Sequence, residues 1–143
     1  MDDPNIEILL VEDNPKDVEL TLHALKRNNL ANRVHVARDG QEVLDLFFGP
    51  AANGQPPKPK LVLLDLKLPK VHGLEVLRRL KGDPRTKAIP VVVMTSSTME
   101  TDMVESYDLG ANSYLRKPVD FNEFVACAKT LGLYWLLLNK MPP

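Results

Sequence analysis

Short apolar runs alternate with longer amphipathic segments along this chain of 143 residues, and this alternation limits the possible folds more than any other feature. The pattern predicts five strands, each followed by a helix. The predicted strands are Ile6–Val11, Arg33–Ala37, Leu61–Asp65, Ile89–Thr95 and Ser113–Arg116. Strands that alternate with helices of this length form a parallel sheet with helices on both faces. The sequence therefore predicts an α/β fold built from five βα units.

Capping and turn residues predict where the helices begin and end. Asn14 and Pro15 suit the N-cap and first position of a helix that continues to about Asn29. The second predicted helix is centred on Val43–Phe47, and the third begins at Gly73 and ends at Asp83. The fourth runs from about Glu100 to Leu109, and the fifth from about Phe121 to Asn139. Right-handed crossovers leave only a few possible strand orders for such a sheet.

The length and the local composition favour a single domain over residues 1–143. Residues 49–60 contain four prolines and two glycines, which predicts a proline-rich loop. We do not interpret it as an interdomain linker, because neither side alone is large enough to form a complete core. An extended apolar helix over about residues 121–139 is expected to close the domain.

Composition and charge exclude several classes of function. The formal net charge is −1, so nothing in the electrostatics favours binding to nucleic acid or to an anionic membrane. The single cysteine, Cys127, cannot form an internal disulfide. The first residues are acidic, unlike a signal peptide, and the dense apolar stretch Leu131–Leu138 is too short to span a bilayer. We therefore expect a cytoplasmic protein.

Polar residues follow the predicted strands at the points where the strands end. Glu12 and Asp13 follow the first strand, Asp65 ends the third, Thr95 ends the fourth and Lys117 follows the fifth. In an open parallel sheet, ligands bind outside these carboxyl ends, where the strand order reverses. If the first and third strands are neighbours, three carboxylates converge there.

Converging carboxylates repel one another, and a divalent cation relieves that repulsion. Oxygen ligands without His or Cys suit Mg²⁺. The carboxylate of Asp65 could attack phosphorus and form an acyl phosphate. The metal, Lys117 and Thr95 could then each contact one phosphoryl oxygen. Taken alone, the acidic residues are more often helix caps, and Thr95 or Lys117 by itself indicates little. Only the five together favour this chemistry.

Several motifs taken together resemble the receiver domains of bacterial two-component response regulators. The resemblance extends from Ile6 to about Leu131, and its motifs are Leu10–Asn14, Leu63–Pro69 with Gly73, Met94–Ser96, Gly110–Ala111 and Tyr114–Pro118. It implies a flavodoxin-like fold with strand order 2-1-3-4-5. It also implies a phosphoacceptor regulator, not an enzyme, which receives its phosphoryl group from a sensor histidine kinase.

The same resemblance assigns roles to individual residues. By that likeness Asp65 is the phosphoacceptor. Mg²⁺ is bound by Glu12, Asp13 and Asp65 together with the backbone carbonyl of Lys67. The phosphoryl group is contacted by Thr95 and Lys117, and a cis bond precedes Pro118. Thr95 and Tyr114 would form a switch that changes the face made by the fourth helix, fifth strand and fifth helix. A core tyrosine without a switching role is the alternative.

Two residues beside the expected phosphoryl group depart from the family pattern. Lys67 stands where many members have Met or Asn, and Ser96 stands where Ala or Gly is frequent. Both positions border the approach to the phosphoryl group. We therefore expect them to alter the rate at which the phosphoryl group is lost to water.

More narrowly, the chain is similar to single-domain regulators that serve phytochrome-type histidine kinases. The motif Asp65–Pro69, the insertion at 49–60 and the aromatic pair Tyr134–Trp135 carry that likeness.

The last helix is apolar on more than one side, which predicts a homodimer through Leu133, Tyr134 and Leu137. The alternative is that the chain's own loop or tail covers these leucines.

Three other functions were weighed against a phosphorylated receiver. A haloacid-dehalogenase-type phosphatase carries an Asp-x-Asp motif on its first strand, whereas here Lys67 follows Asp65 at the second position and leaves no general acid. A flavodoxin-like FMN module needs a phosphate loop after the first strand, where Glu12 and Asp13 would repel phosphate. A degenerate receiver that only binds partners would not need the complete set of five site residues.

Overall fold

The computed structural model describes residues 6–28, 33–117 and 121–132. Its elements are β1 (Ile8–Val11), α1 (Pro15–Arg27), β2 (Val34–Ala37), α2 (Gly40–Phe48), a 3-10 helix (Pro50–Ala52), β3 (Leu61–Leu64), α3 (Gly73–Gly82), β4 (Val91–Thr95), α4 (Glu100–Asp108), β5 (Ser113–Arg116) and α5 (Phe121–Gly132). Every predicted strand and helix within these ranges is present. The first four strands begin or end one or two residues inside the predicted bounds, and β5 has the predicted bounds.

The five strands form one parallel sheet with the order β2-β1-β3-β4-β5, so the predicted doubly wound fold is confirmed. Val11 at the end of β1 pairs with Leu64 at the end of β3. Leu64 pairs in turn with Val93 of β4. The first and third strands are therefore neighbours with level carboxyl ends, and the strand order reverses beside them.

The core lies on both faces of the central strands. Every residue of β1, β3 and β4 is buried, which explains why these strands show no polar alternation. One apolar cluster joins the sheet to α2 and α3 and includes Phe47, Leu77 and Leu80. The other joins the opposite face to α1 and includes Val18 and Leu25. The two clusters hold the strand ends in a fixed relative position.

Helix caps explain how two helices begin near the strand ends. The Asn14 side chain accepts hydrogen bonds from the first turn of α1, as predicted. His72 caps α3 because its Nδ1 accepts a hydrogen bond from Leu74 N, 3.1 Å away, a role that the sequence pattern did not indicate.

The proline-rich segment 49–60 is mostly loop, with the 3-10 helix at its start. The Arg85 guanidinium lies 5.7 Å from the Phe48 ring centroid, and Arg85 also donates to the Gly54 carbonyl at 3.5 Å. These contacts fasten the loop to the chain after α3.

Some predictions fall outside the described residues. These are the conformation of the bond before Pro118, the extension of α5 to Asn139, and the interface residues Leu133, Tyr134 and Leu137. Among the helices that the structure describes, none has the length and apolar character needed to cross a membrane.

Candidate functional site

Three carboxylates meet at the carboxyl ends of β1 and β3. Glu12 and Asp13 directly follow β1, and Asp65 directly follows β3. Ligand oxygens of the three residues all lie within 4.8 Å of one another. Glu12 and Asp65 are buried, whereas Asp13 is exposed. The backbone holds Asp65 in place, because its N–H donates to the Val11 carbonyl at 3.0 Å.

The amine of Lys117 reaches this cluster from the end of β5. It donates to Asp65 Oδ2 at 2.9 Å, to Asp17 Oδ2 at 2.9 Å, and to Glu12 Oε1. The backbone N–H of Lys117 donates to the Thr95 carbonyl at 3.0 Å, so β4 fixes where the lysine begins. The Lys117 side chain therefore extends from the end of β5 to the acidic cluster at the ends of β1 and β3.

The burial and charge of this cluster shift two pKa values upward. Burial raises the pKa of Glu12 to about 7; the hydrogen bond from Lys117 opposes that rise and the negative charge of Asp65 adds to it. Burial disfavours the charged form of Lys117, yet hydrogen bonds to Asp17, Glu12 and Asp65 outweigh it and raise the pKa of the amine. The lysine is therefore a firmly protonated cation.

Thr95 ends β4 at the same edge of the sheet and is fully buried. Its Oγ1 accepts a hydrogen bond from Ser97 N at 3.2 Å. Ser97 is also buried, and its hydroxyl donates to Asp102 Oδ2 at 2.6 Å. Because Asp102 lies in the first turn of α4, these contacts connect Thr95 to that helix. The neighbouring Ser96 is exposed.

Tyr114 shares a sheet face with Thr95. Tyr114 pairs with Val93, and Thr95 lies two residues beyond Val93 on the same strand. The Tyr114 ring packs against the apolar cluster on the α2 and α3 side. Its hydroxyl is buried and makes no hydrogen bond with any residue that the structure describes. An unpaired buried hydroxyl has a cost in free energy.

Backbone groups of the loop after β3 hold Asp65 in position. The Lys67 N–H donates to Asp65 Oδ1 at 3.2 Å, and the Lys67 side chain is exposed. The Gly73 N–H donates to the Leu66 carbonyl at 2.8 Å. A Cβ atom at Gly73 would overlap the Asp65 carbonyl oxygen, so only glycine permits this close packing.

The structure thus brings Glu12, Asp13, Asp65 and Lys117 into one cluster and places Thr95 at the adjacent strand end. Two participants were not identified from sequence. Asp17 was not given a role at the site, and of the two serines after β4 only Ser96 was considered. The Asn14 cap was an available signal for Asp17, because it places the first turn of α1 directly after β1.

The donor set suits a small, hard divalent cation. Three converging carboxylates supply only oxygen ligands, and one of them is exposed and open to an arriving ion. The buried pair Glu12 and Asp65 carries charge that a single lysine only partly balances. The residues present therefore fit Mg²⁺.

Comparison with known families and proteins agrees with this geometry. The family model for the response regulator receiver domain matches residues 8–129. The probable methanogenesis regulatory protein FilR2 of Methanothrix harundinacea is 42% identical over 99% of this chain and 90% of its own length. Response regulator Rcp1 of Synechocystis sp. is 36% identical over 94% of this chain and 92% of its own length.

Solved structures of phytochrome-associated regulators are also similar. The phosphorylated cyanobacterial phytochrome response regulator RcpA superposes with a TM-score of 0.86 at 38% identity, covering 97% of this chain and 99% of its own. The bacteriophytochrome response regulator AtBRR is 54% identical, with a TM-score of 0.72 and coverage of 95% and 99%. The Mn²⁺-bound form of Rcp1 has a TM-score of 0.82 at 35% identity, with coverage of 95% and 98%.

Proposed function

This chain belongs to the family of response regulator receiver domains, and from that premise we propose that it accepts a phosphoryl group from a sensor histidine kinase on Asp65. One observation carries the proposal. The Asp65 carboxylate lies within 4.8 Å of two further carboxylates, and the Lys117 ammonium contacts it at 2.9 Å. That arrangement presents a nucleophilic oxygen beside a fixed positive charge.

In the proposed reaction an Asp65 oxygen forms a bond to phosphorus while the bond between phosphorus and the donor's leaving group breaks. During this exchange the transferring group spreads its negative charge over three equatorial oxygens. Lys117 lies where it can donate to one of those oxygens. Glu12, Asp13 and Asp65, with the Lys67 carbonyl, would hold Mg²⁺, which supplies further positive charge to the phosphoryl oxygens.

We propose that Thr95 and Tyr114 convert phosphorylation into a change at α4. In the phosphorylated protein the Thr95 side chain would turn so that its hydroxyl donates to a phosphoryl oxygen, and its Oγ1 would move away from the Ser97 N–H that it now accepts from. Ser97 is bonded to Asp102 of α4, so a change at Thr95 reaches that helix. Among the described residues the exposed large apolar side chains are all on or next to α4: Met99, Met103, Val104 and Tyr107. They supply a surface for output.

The partners follow from the same comparisons, as proposals. AtBRR at 54% identity and RcpA at 38% support a phytochrome-type kinase as the phosphodonor. FilR2 is 42% identical to this chain and is named for the regulation of methanogenesis. Measurements of phosphotransfer from purified kinases are therefore needed to identify the cognate kinase. We further propose that the protein forms a homodimer through Leu133, Tyr134 and Leu137. We propose that it is located in the cytoplasm beside the ATP-consuming kinase, and that it has no catalytic activity on other molecules.

The proposal is tested by the intact mass of the protein after incubation with acetyl phosphate and Mg²⁺. Wild type should gain one phosphoryl group, and the gain should disappear in Asp65→Asn and in the presence of EDTA. A gain that persists in Asp65→Asn would reject Asp65 as the acceptor. No gain in wild type from either acetyl phosphate or an active panel of phytochrome-type kinases would reject the phosphoacceptor function and favour a domain that only binds partners.

A further inference from the structure

The Lys117 ammonium has a third carboxylate partner, Asp17, which none of the assigned roles uses. A lysine ammonium carries three N–H donors, and here they point to Glu12, Asp65 and Asp17. The group of mutually close ligand oxygens contains Glu12, Asp13 and Asp65 but does not contain Asp17. Asp17 therefore contacts the lysine from outside the metal-binding group.

The start of α1 fixes the position of Asp17. The Asp17 N–H donates to the Asn14 side chain at 3.3 Å, and Pro15 occupies the first turn. The next residue, Val18, is buried in the core cluster that joins α1 to the sheet. The Asp17 side chain is 32% exposed, compared with 4% for Glu12 and 6% for Asp65. Asp17 is thus a rigidly placed acceptor at the open side of the lysine.

The other two partners of Lys117 change their bonding when the site is used. Asp65 would carry the phosphoryl group, and Glu12 would bind the metal. Asp17 has neither role and keeps its free carboxylate throughout. An ammonium with 13% exposure is costly to leave unpaired, so a partner with neither of these roles is suited to keep the amine at the site.

We propose that Asp17 is a positioning residue that holds the Lys117 ammonium beside the reacting oxygens of Asp65 during phosphorylation, an inference that rests on the proposed function. The competing explanation is that Asp17 only stabilises the positive end of the α1 dipole. That explanation predicts an effect that is independent of Lys117. The two are therefore separated by whether the effect of Asp17 requires the lysine.

A double-mutant cycle of Asp17→Ala and Lys117→Met provides the test, with two readouts. The first is the initial rate of phosphorylation by acetyl phosphate with Mg²⁺. Asp17→Ala should slow wild type by on the order of tenfold and should leave the residual rate of Lys117→Met unchanged. Asp17→Asn, which keeps an acceptor oxygen, should recover part of the rate. Glu19→Ala on the same helix is the control and should leave the rate unchanged.

The second readout is the thermal midpoint of all four proteins in EDTA, which requires no phosphorylation. The proposal expects the double variant to differ from the sum of the single shifts. Equal slowing by Asp17→Ala in both lysine backgrounds would overturn it. If wild type accepts no phosphoryl group, the proposed function fails by itself; additive midpoint shifts would then overturn the Asp17–Lys117 link, and non-additive shifts would support it.

Discussion

Lys117 and Asp65 lie 52 positions apart in the chain, yet their side chains meet at 2.9 Å because the sheet order places β5 and β3 on the same side of the switch point. The lysine is an internal counterion for Glu12, Asp17 and Asp65 when no metal is bound. Without it, two buried carboxylates would face each other with no compensating charge from any other residue that the structure describes. The stability of the site therefore depends on this side chain, and the proposed phosphorylation would depend on it as well.

Replacing Lys117 by Met should destabilise the metal-free protein. The midpoint of thermal unfolding in EDTA should fall by about 5 to 10 °C, which corresponds to roughly 2 kcal/mol for a chain of this size. Added Mg²⁺ should raise the midpoint more in the variant than in wild type, since the ion takes over the charge compensation. Lys60→Met removes a lysine whose pair with Glu7 is exposed and 4.0 Å apart, and it serves as the control. Equal responses to Mg²⁺ in wild type and Lys117→Met would contradict the counterion role.

Lys67 and Ser96 are expected to control how long the phosphoryl group persists. Both side chains are exposed, and each belongs to a residue directly connected to Asp65 or Thr95. We expect water to approach the phosphoryl group past these side chains. Lys67→Met and Ser96→Ala should therefore change the half-life of the phosphorylated protein by a factor of about two or more, measured by loss of the phosphorylated mass after the donor is removed. Unchanged half-lives in both variants would show that these positions do not matter.

Sequence reasoning could locate the strand-end residues but not their full set of contacts. Glu12, Asp13, Asp65, Thr95 and Lys117 were identified because polar residues at the ends of apolar runs stand out against their surroundings. Asp17 lies in a helix turn where an acid is ordinary, and only the chain folding brings it to Lys117. Ser97 could not be distinguished from Ser96 without knowing which of the two is buried.

Among the elements, the loop from β3 to α3 matters most to the geometry of Asp65. Its backbone turns back so that Gly73 packs directly against Asp65 and Leu66. The Val71 N–H donates to the Pro69 carbonyl at 2.7 Å, which tightens the same turn. The position of Asp65 is therefore set by the packing of the start of α3.

Gly73→Ala should distort this loop and destabilise the protein. The added Cβ would overlap backbone atoms, which cannot move aside as a flexible side chain can. We expect a loss of roughly 2 to 3 kcal/mol in the free energy of unfolding by urea. Gly82→Ala, at the other end of the same helix, meets nothing within 4 Å and should be neutral or stabilising by less than about 1 kcal/mol. Similar effects of the two substitutions would contradict the packing role of Gly73.

The elements themselves were predicted well where packing and local signals agree. β1, β3 and β4 are buried on both faces, so their apolar runs were unambiguous. α4 was the least marked helix in the sequence, and in the structure its only buried residue is Ser106. The 3-10 helix in the proline-rich loop was not foreseen, because three residues are too few to produce a periodic pattern.

For the whole molecule, one sheet brings residues from the beginning, middle and end of the chain to a single edge. The family model extends over residues 8–129, so most of the chain is committed to this arrangement. The exposed apolar side chains around α4 lie on a surface connected to Thr95 through Ser97 and Asp102. Hydrogen bonds therefore connect the buried end of β4 to this exposed apolar surface.

The proposed homodimer is testable at this scale. The double substitution Leu133→Glu and Leu137→Glu places charges at the predicted interface and should give a folded monomer. Size-exclusion chromatography with light scattering gives the mass directly, and circular dichroism reports whether the fold is kept. An unchanged mass in solution, whether monomer or dimer, would show that these leucines are not the interface.

Asp65 is the residue proposed to form the acyl phosphate, and chemical mapping tests this assignment most directly. Borohydride reduces an aspartyl phosphate to homoserine, which marks the modified residue permanently for peptide mass spectrometry. After incubation with acetyl phosphate and Mg²⁺, homoserine should appear at position 65 and at no other aspartate. Homoserine at Asp13 or Asp17 instead, or a phosphorylated protein that yields no homoserine, would contradict the account.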